Sequence, residues 1–171
     1  MPNILKLLFS PNGRIGRRDY LVGLVGLTVI FYAYGIALNL LGPTIPGLFA
    51  VLAFPFIILQ IAASIYGKRL HDIGRTMWPF TGLIFLIILI MVIVMLTFGG
   101  ADYFAEFTKY SPENPAPNDL AEELNRKFGE EQRKGEIYLS WIVSILLLTF
   151  SLWLLLAKPD PEENRYGSPE K

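Results

Sequence analysis

The chain contains one histidine, His71, followed directly by Asp72, and it has no cysteine. An imidazole beside a carboxylate is the kind of pair that general-base chemistry employs. Neighbouring residues on a helix, however, point about 100° apart, so these two do not form a dyad automatically. No serine or other nucleophile stands out near them either. A metal centre needs several nitrogen, sulfur or carboxylate ligands, and a chain with no thiolates and a single imidazole is poorly equipped to supply them. The residues therefore predict a protein that is not an enzyme and carries no metal or cofactor.

The other residues able to do chemistry are arginines, gathered in three compact polar strings: GRIGRRDY at 13–20, KRLHDIGR at 68–75 and NRYG at 164–167. In the first, Gly13 and Gly16 punctuate the chain while Arg14, Arg17 and Arg18 cluster just before the first apolar run, but a GxxG spacing is far too weak to define a phosphate loop. In the second, Lys68, Arg69 and His71 extend a helix end where cations complement the dipole, and Gly74 is placed to stop it in a left-handed cap. Asp72 is within reach of Arg69 or Arg75 for a local pair. Two readings of these strings stand side by side. In one, Arg14, Arg17, Arg18, Lys68, Arg69, Arg75 and Arg165 form a basic platform, tuned by His71 and Asp72. Each cation near an anionic surface would then contribute on the order of 1 kcal/mol. In the plainer one, the arginines only enforce orientation while His71, Asp72, Asn164 and Tyr166 stitch loops together by hydrogen bonds.

Long apolar runs position these strings. Apolar residues make up 53% of the 171 and charged ones only 18%, and the mean hydropathy is +0.44. Such a chain needs lipid as part of its solvent. A bilayer core about 30 Å thick is crossed by about 20 apolar helical residues. Residues 20–41, 45–66, 77–98 and 137–157 are runs of 22, 22, 22 and 21 residues with no Asp, Glu, Lys, Arg or His. Helices of a soluble bundle are apolar on one face, whereas Leu83 to Leu96 is apolar on every face. The first run follows nineteen residues and is too long for a cleaved signal, so it should remain as a signal-anchor helix. The fold expected is all-α: an integral membrane four-helix bundle, one domain over 1–171. Gly42, Pro43 and Thr44 form a tight link between the first two spans, with Pro46 in the first turn of the second. Pro55 should kink that span, with Gln60 or Ser64 on hand for freed polar groups, or as glue between helices. Small-residue pairs, Ala33 with Ala37 and Ala63 with Gly67, permit close helix contact within or between subunits.

Orientation follows from the flanks. Residues 1–19 carry Lys6, Arg14, Arg17 and Arg18 against Asp19, net +3; residues 67–76 carry Lys68, Arg69 and Arg75 against Asp72, net +2. Both belong in the cytoplasm, and an even number of crossings puts the tail, 158–171, there too. Trp78 at one boundary and Tyr103, Phe104, Phe107 and Tyr110 at the other suit aromatic belts or ordinary packing. The outer loop, 99–136, is acidic, net −4. Pro112, Pro115 and Pro117 make its first half an extended connector. Its second half predicts a short amphipathic helix: Asp119 and Glu122 resemble a capping box, and Leu120, Leu124 and Phe128 form one stripe. Pairs Glu122–Arg126, Glu123–Lys127 and Glu130–Lys134 would add about 0.2 to 0.5 kcal/mol each. The helix should turn into the fourth span near Gly129 or Gly135.

The three strings, in this order and spacing, resemble the bacterial family catalogued as Domain of Unknown Function 805, small inner-membrane proteins of the YhaH and YhaI type. RLHDIGR at Arg69 to Arg75, followed by Trp78, is the most specific of them. Family members usually show paired arginines where this chain has Lys68 and Arg69, and a second tryptophan near Trp78. The resemblance implies a multi-pass helical protein of the bacterial inner membrane and no established activity. The function expected is a non-enzymatic scaffold or adaptor whose platform meets anionic lipid head groups, a phosphorylated ligand or a protein partner. A homo-oligomer fits, and a chain of zero net charge is a poor partner for nucleic acid. The alternative is a small-solute or drug transporter acting as an oligomer, although no span contains the ionisable group that ion coupling normally uses.

Overall fold

The computed structural model describes residues 4–110 and 114–168. Among these residues six α-helices follow one another: α1 (Ile4–Phe9), α2 (Arg17–Leu41), α3 (Ile45–Asp72), α4 (Trp78–Met95), α5 (Ala101–Phe107) and α6 (Leu120–Leu156). Among the described residues there is no strand, only isolated β-bridge residues such as Asn164 paired with Gly167, so the class is all-α. Four helical stretches, containing α2, α3, α4 and α6, are long and apolar enough to cross a membrane. The chain divides into two compact units, Met1–Thr81 with Ser151–Lys171, and Gly82–Phe150.

In the first unit, α2 and α3 form the expected hairpin. Gly42 takes a positive φ of 57°, and the Thr44 hydroxyl accepts from the Gly47 backbone N–H at 3.2 Å, capping α3 just before Pro46. The helices meet where Gly23 leaves room for Ile65, whose Cγ2 would lie 3.0 Å from a Cβ at that position. Helix α3 runs unbroken through Pro55. Ser64 turns its hydroxyl to the Gln60 carbonyl at 2.9 Å, so it does not serve the carbonyl that the proline frees. Both α2 and α3 overrun their charge-free runs, starting at Arg17 and ending at Asp72, because arginine and lysine are good helix formers. Helix α1 had no counterpart in the sequence reading. Leu7 and Leu8 are buried, and Lys68 donates to the Lys6 and Leu7 carbonyls at 2.8 and 2.6 Å, satisfying orphan acceptors at the end of this short helix.

In the second unit, α4 loosens into a π turn at Leu96–Gly100, where Gly99 has φ 83°. The chain then re-forms as α5. The start of the outer loop is thus helical, ahead of its prolines; Pro115 and Pro117 lie in irregular chain and Pro112 lies outside the described residues. Leu120, Leu124 and Phe128 are buried together, with Tyr103 and Tyr110 packed against them, while Phe104 and Phe107 are exposed. The amphipathic stripe is therefore present, but it does not end in a turn. Helix α6 passes Gly129 and Gly135 without a break. A mid-helix glycine costs only about 1 kcal/mol, less than exposing a fresh set of helix-end groups. Gly135 serves a different purpose: a Cβ there would come within 2.8 Å of Phe98 Cβ, so its absence admits the bend after α4. The three expected ion pairs along the helix are not formed among the described residues. Lys127 instead meets Glu106 at 3.3 Å, a carboxylate that also holds Lys109 at 2.7 Å. Exposed pairs are worth so little that a better-placed partner prevails.

Candidate functional site: a clasp of three polar strings

The polar end of the first unit gathers all three strings, and the reason begins with helix ends. A helix terminating at Leu156 leaves its last carbonyls without intrahelical donors. Arg69 fills this need from α3. Its Nε donates to the Leu154 carbonyl at 2.9 Å and its Nη2 to that of Ala157 at 2.8 Å. Arg17 adds bonds to Leu156 and Ala157 at 3.0 and 3.1 Å. Two cations at a helix C-terminus also complement its dipole.

Helix α3 closes differently. Gly74, at φ 71°, occupies the left-handed position. Its N–H donates to His71 at 3.2 Å, and that of Arg75 donates to Leu70 at 2.8 Å. This is the Schellman arrangement, which fits the placement of Gly74 in the sequence. The turn leaves Asp72 at the centre of the clasp. Its carboxylate pairs with Arg69 and accepts from Arg14 Nε at 3.3 Å. Its backbone carbonyl accepts from the Asp160 N–H at 2.7 Å and from Arg14 Nη2 at 3.1 Å. Of the two local pairs open in the sequence, Asp72 thus takes the one with Arg69; Arg75 stays exposed.

Arg14 is the residue whose role was least visible in advance. Buried at 8% exposure, it also donates to the carbonyls of Asp160 (2.5 Å), Glu162 (2.8 Å) and Gly167 (3.2 Å). One guanidinium therefore ties the approach to α2, the end of α3 and the C-terminal segment together. The NRYG string closes the other side. Asn164 Nδ2 donates to the His71 carbonyl at 3.2 Å and to Asp160 Oδ2 at 3.0 Å, and Asn164 Oδ1 accepts from the Tyr166 N–H. The His71 ring stacks on Tyr166 with centroids 3.7 Å apart and an angle of 6°, and its Nδ1 lies 3.3 Å from the Gly13 carbonyl. Arg165 lies over the Tyr166 ring at 4.8 Å. The bond from Asn164, with one from the Glu162 backbone N–H, holds the Asp160 carboxyl below the usual carboxylate range.

Toward the membrane, Ser151 joins α6 to two tyrosines. Tyr66 and Ser151 hydroxyls lie 2.8 Å apart, and Tyr20 donates to the Ser151 carbonyl at 3.4 Å. Every buried side-chain nitrogen and oxygen among the described residues has a partner. Of the candidates, Arg14, Arg17, Lys68, Arg69, His71, Asp72, Asn164, Arg165 and Tyr166 make the contacts above. Arg18 and Arg75 are exposed, as is Arg165 apart from its contact with the Tyr166 ring. Asp160 and Ser151 were missed in the sequence. The carbonyls at the end of α6 were the one available signal, since they had to find donors.

A helical protein with several membrane crossings, its polar connections knitted at one end, is the class these features define. Residues 8–109, more than half of the chain, match the family described as Protein of unknown function (DUF805), and the chain belongs to it. The first two strings lie within the match and NRYG lies beyond it. No curated protein and no solved structure matches the chain.

Proposed function

We propose that the chain is a non-enzymatic scaffold or adaptor of the bacterial cytoplasmic membrane, with both termini in the cytoplasm, whose clasped end offers a basic platform to anionic lipid head groups. One observation carries this: the cations divide into two sets. Arg14, Lys68 and Arg69 are buried and bonded to carbonyls, the two arginines also to Asp72, and Arg17, though exposed, is bonded to the carbonyls ending α6. Arg18, Arg75 and Arg165 are exposed, and their side chains make no hydrogen bond or ion pair among the described residues. The inner set supports a structural task, and the outer set is left for partners. The net positive flanks of α2 and α3 support the cytoplasmic orientation.

The test uses the full chain in nanodiscs that mix neutral and anionic lipids. At about 1 kcal/mol per cation, replacing Arg18, Arg75 and Arg165 with alanine should reduce the preference for anionic lipid on the order of a hundredfold at low salt. An unchanged preference would remove the platform. Flux of a labelled solute into reconstituted vesicles would favour transport instead.

A further inference from the structure

Gln60 lies within the charge-free part of α3, six residues short of Tyr66, or about 9 Å into the span at about 1.5 Å per residue. It is exposed on the surface of the chain, which at that depth means exposure to hydrocarbon. Three other polar side chains within the charge-free runs of α2 and α3 donate to a carbonyl one turn back on their own helix. Thr28 donates to Leu24, Asn39 to Gly35, and Ser64 to Gln60's own backbone carbonyl, all at 2.9 Å. The Gln60 side chain makes no hydrogen bond among the described residues, and it carries two N–H donors and a carbonyl acceptor. Lipid offers nothing to bond them, so leaving them open is costly.

The surroundings of Gln60 suit a helix approaching from outside. Phe56, one turn earlier, is 75% exposed. Ala53 and Ala63 lie seven residues before and three after, on the same stripe, and are exposed and half-buried. Small residues let a second backbone come near, and the stripe holds no charge to repel one. We propose that Gln60 joins two copies of this chain. Across a two-fold axis identical positions face each other, and a primary amide is complementary to itself: each N–H donates to the other's carbonyl, giving two reciprocal bonds. A second copy therefore satisfies the amide with groups already present in the chain.

The native chain has no cysteine, so Ala63→Cys introduces a single thiol. In proteoliposomes of the full chain, oxidation should give a disulfide-linked dimer from Ala63→Cys. Val29→Cys, on exposed α2, should stay monomeric. Energy transfer between copies labelled at Ser168→Cys should show that Gln60→Leu weakens association about threefold to thirtyfold, with a smaller loss for Gln60→Asn. Thermal melting checks that both variants keep the fold; if Gln60→Leu does not, the cross-linking pattern with native Gln60 decides. Any of three results overturns the proposal: a native chain that stays monomeric at all protein-to-lipid ratios, unaltered transfer in Gln60→Leu, or Val29→Cys linking as readily as Ala63→Cys.

Discussion

Replacing Asp72 with asparagine should destabilise the protein more than any single change among its exposed charges. The Asp72 side chain is 3% exposed and its partners Arg14 and Arg69 are 1% and 0% exposed. Removing one member of a buried ionic group costs about 3–5 kcal/mol, because the remaining charge loses its counterion while still desolvated. Here two cations share one carboxylate, which argues for a large effect. Both keep backbone carbonyl partners, at Leu154 and Ala157 for Arg69 and at Asp160, Glu162 and Gly167 for Arg14, which argues for the lower end. About 3 kcal/mol, at about 2–4 °C per kcal/mol for a chain of this size, lowers Tm by about 6–12 °C. Thermal unfolding of the full chain in detergent, followed by tryptophan fluorescence, measures it. Arg75→Ala, on an exposed residue, should shift stability by no more than about 0.5 kcal/mol. A Tm for Asp72→Asn within about 2 °C of the native value would refute the reasoning about buried charge.

Glycines of α6 give a pair of opposite predictions. Gly129→Ala meets nothing within 4 Å and should raise stability by about 0.5–1 kcal/mol. Gly135→Ala drives a methyl group into Phe98 and should cost about 1–3 kcal/mol, read in the same melting assay. Removing the Lys68 cap with Lys68→Met should speed amide exchange across residues 4–9 before it lowers the melting temperature, since Lys68 donates to carbonyls at the end of α1. The depressed Asp160 carboxyl contributes stability that is complete above its unfolded value, about 3.9. That contribution is lost as pH falls through the lower folded value. Melting curves between neutral and acidic pH should therefore show an acid limb that Asp160→Asn diminishes; an identical limb in that variant would contradict the assignment.

How much of this was legible differs by element. The spans were, because charge is so costly in hydrocarbon that its absence over 21 or 22 residues marks each crossing. Leu120, Leu124 and Phe128 were legible as a stripe because burial repeats with the helical period. The fate of Gly129 and Gly135 was not. A glycine inside a helical pattern reads as a stop, whereas the need for one at Gly135 comes from Phe98, a residue distant in sequence. Lys127 choosing Glu106 over Glu123 is the same lesson for weak surface charges. In the clasp, Gly74 could be read locally because a left-handed cap is a local demand. Arg14 could not, since its acceptors are mostly backbone carbonyls, which every sequence contains and none advertises.

That the three polar strings meet on one face of the membrane is tested most directly by which side each end of the chain can be reached from. Single cysteines at Ser10 and Ser168 should both resist a membrane-impermeant maleimide in intact cells and react once the membrane is opened, while one at Thr108 should react at once. Labelling of Ser10 and Ser168 from opposite sides would contradict it, because Arg14 cannot then hold the carbonyl of Gly167.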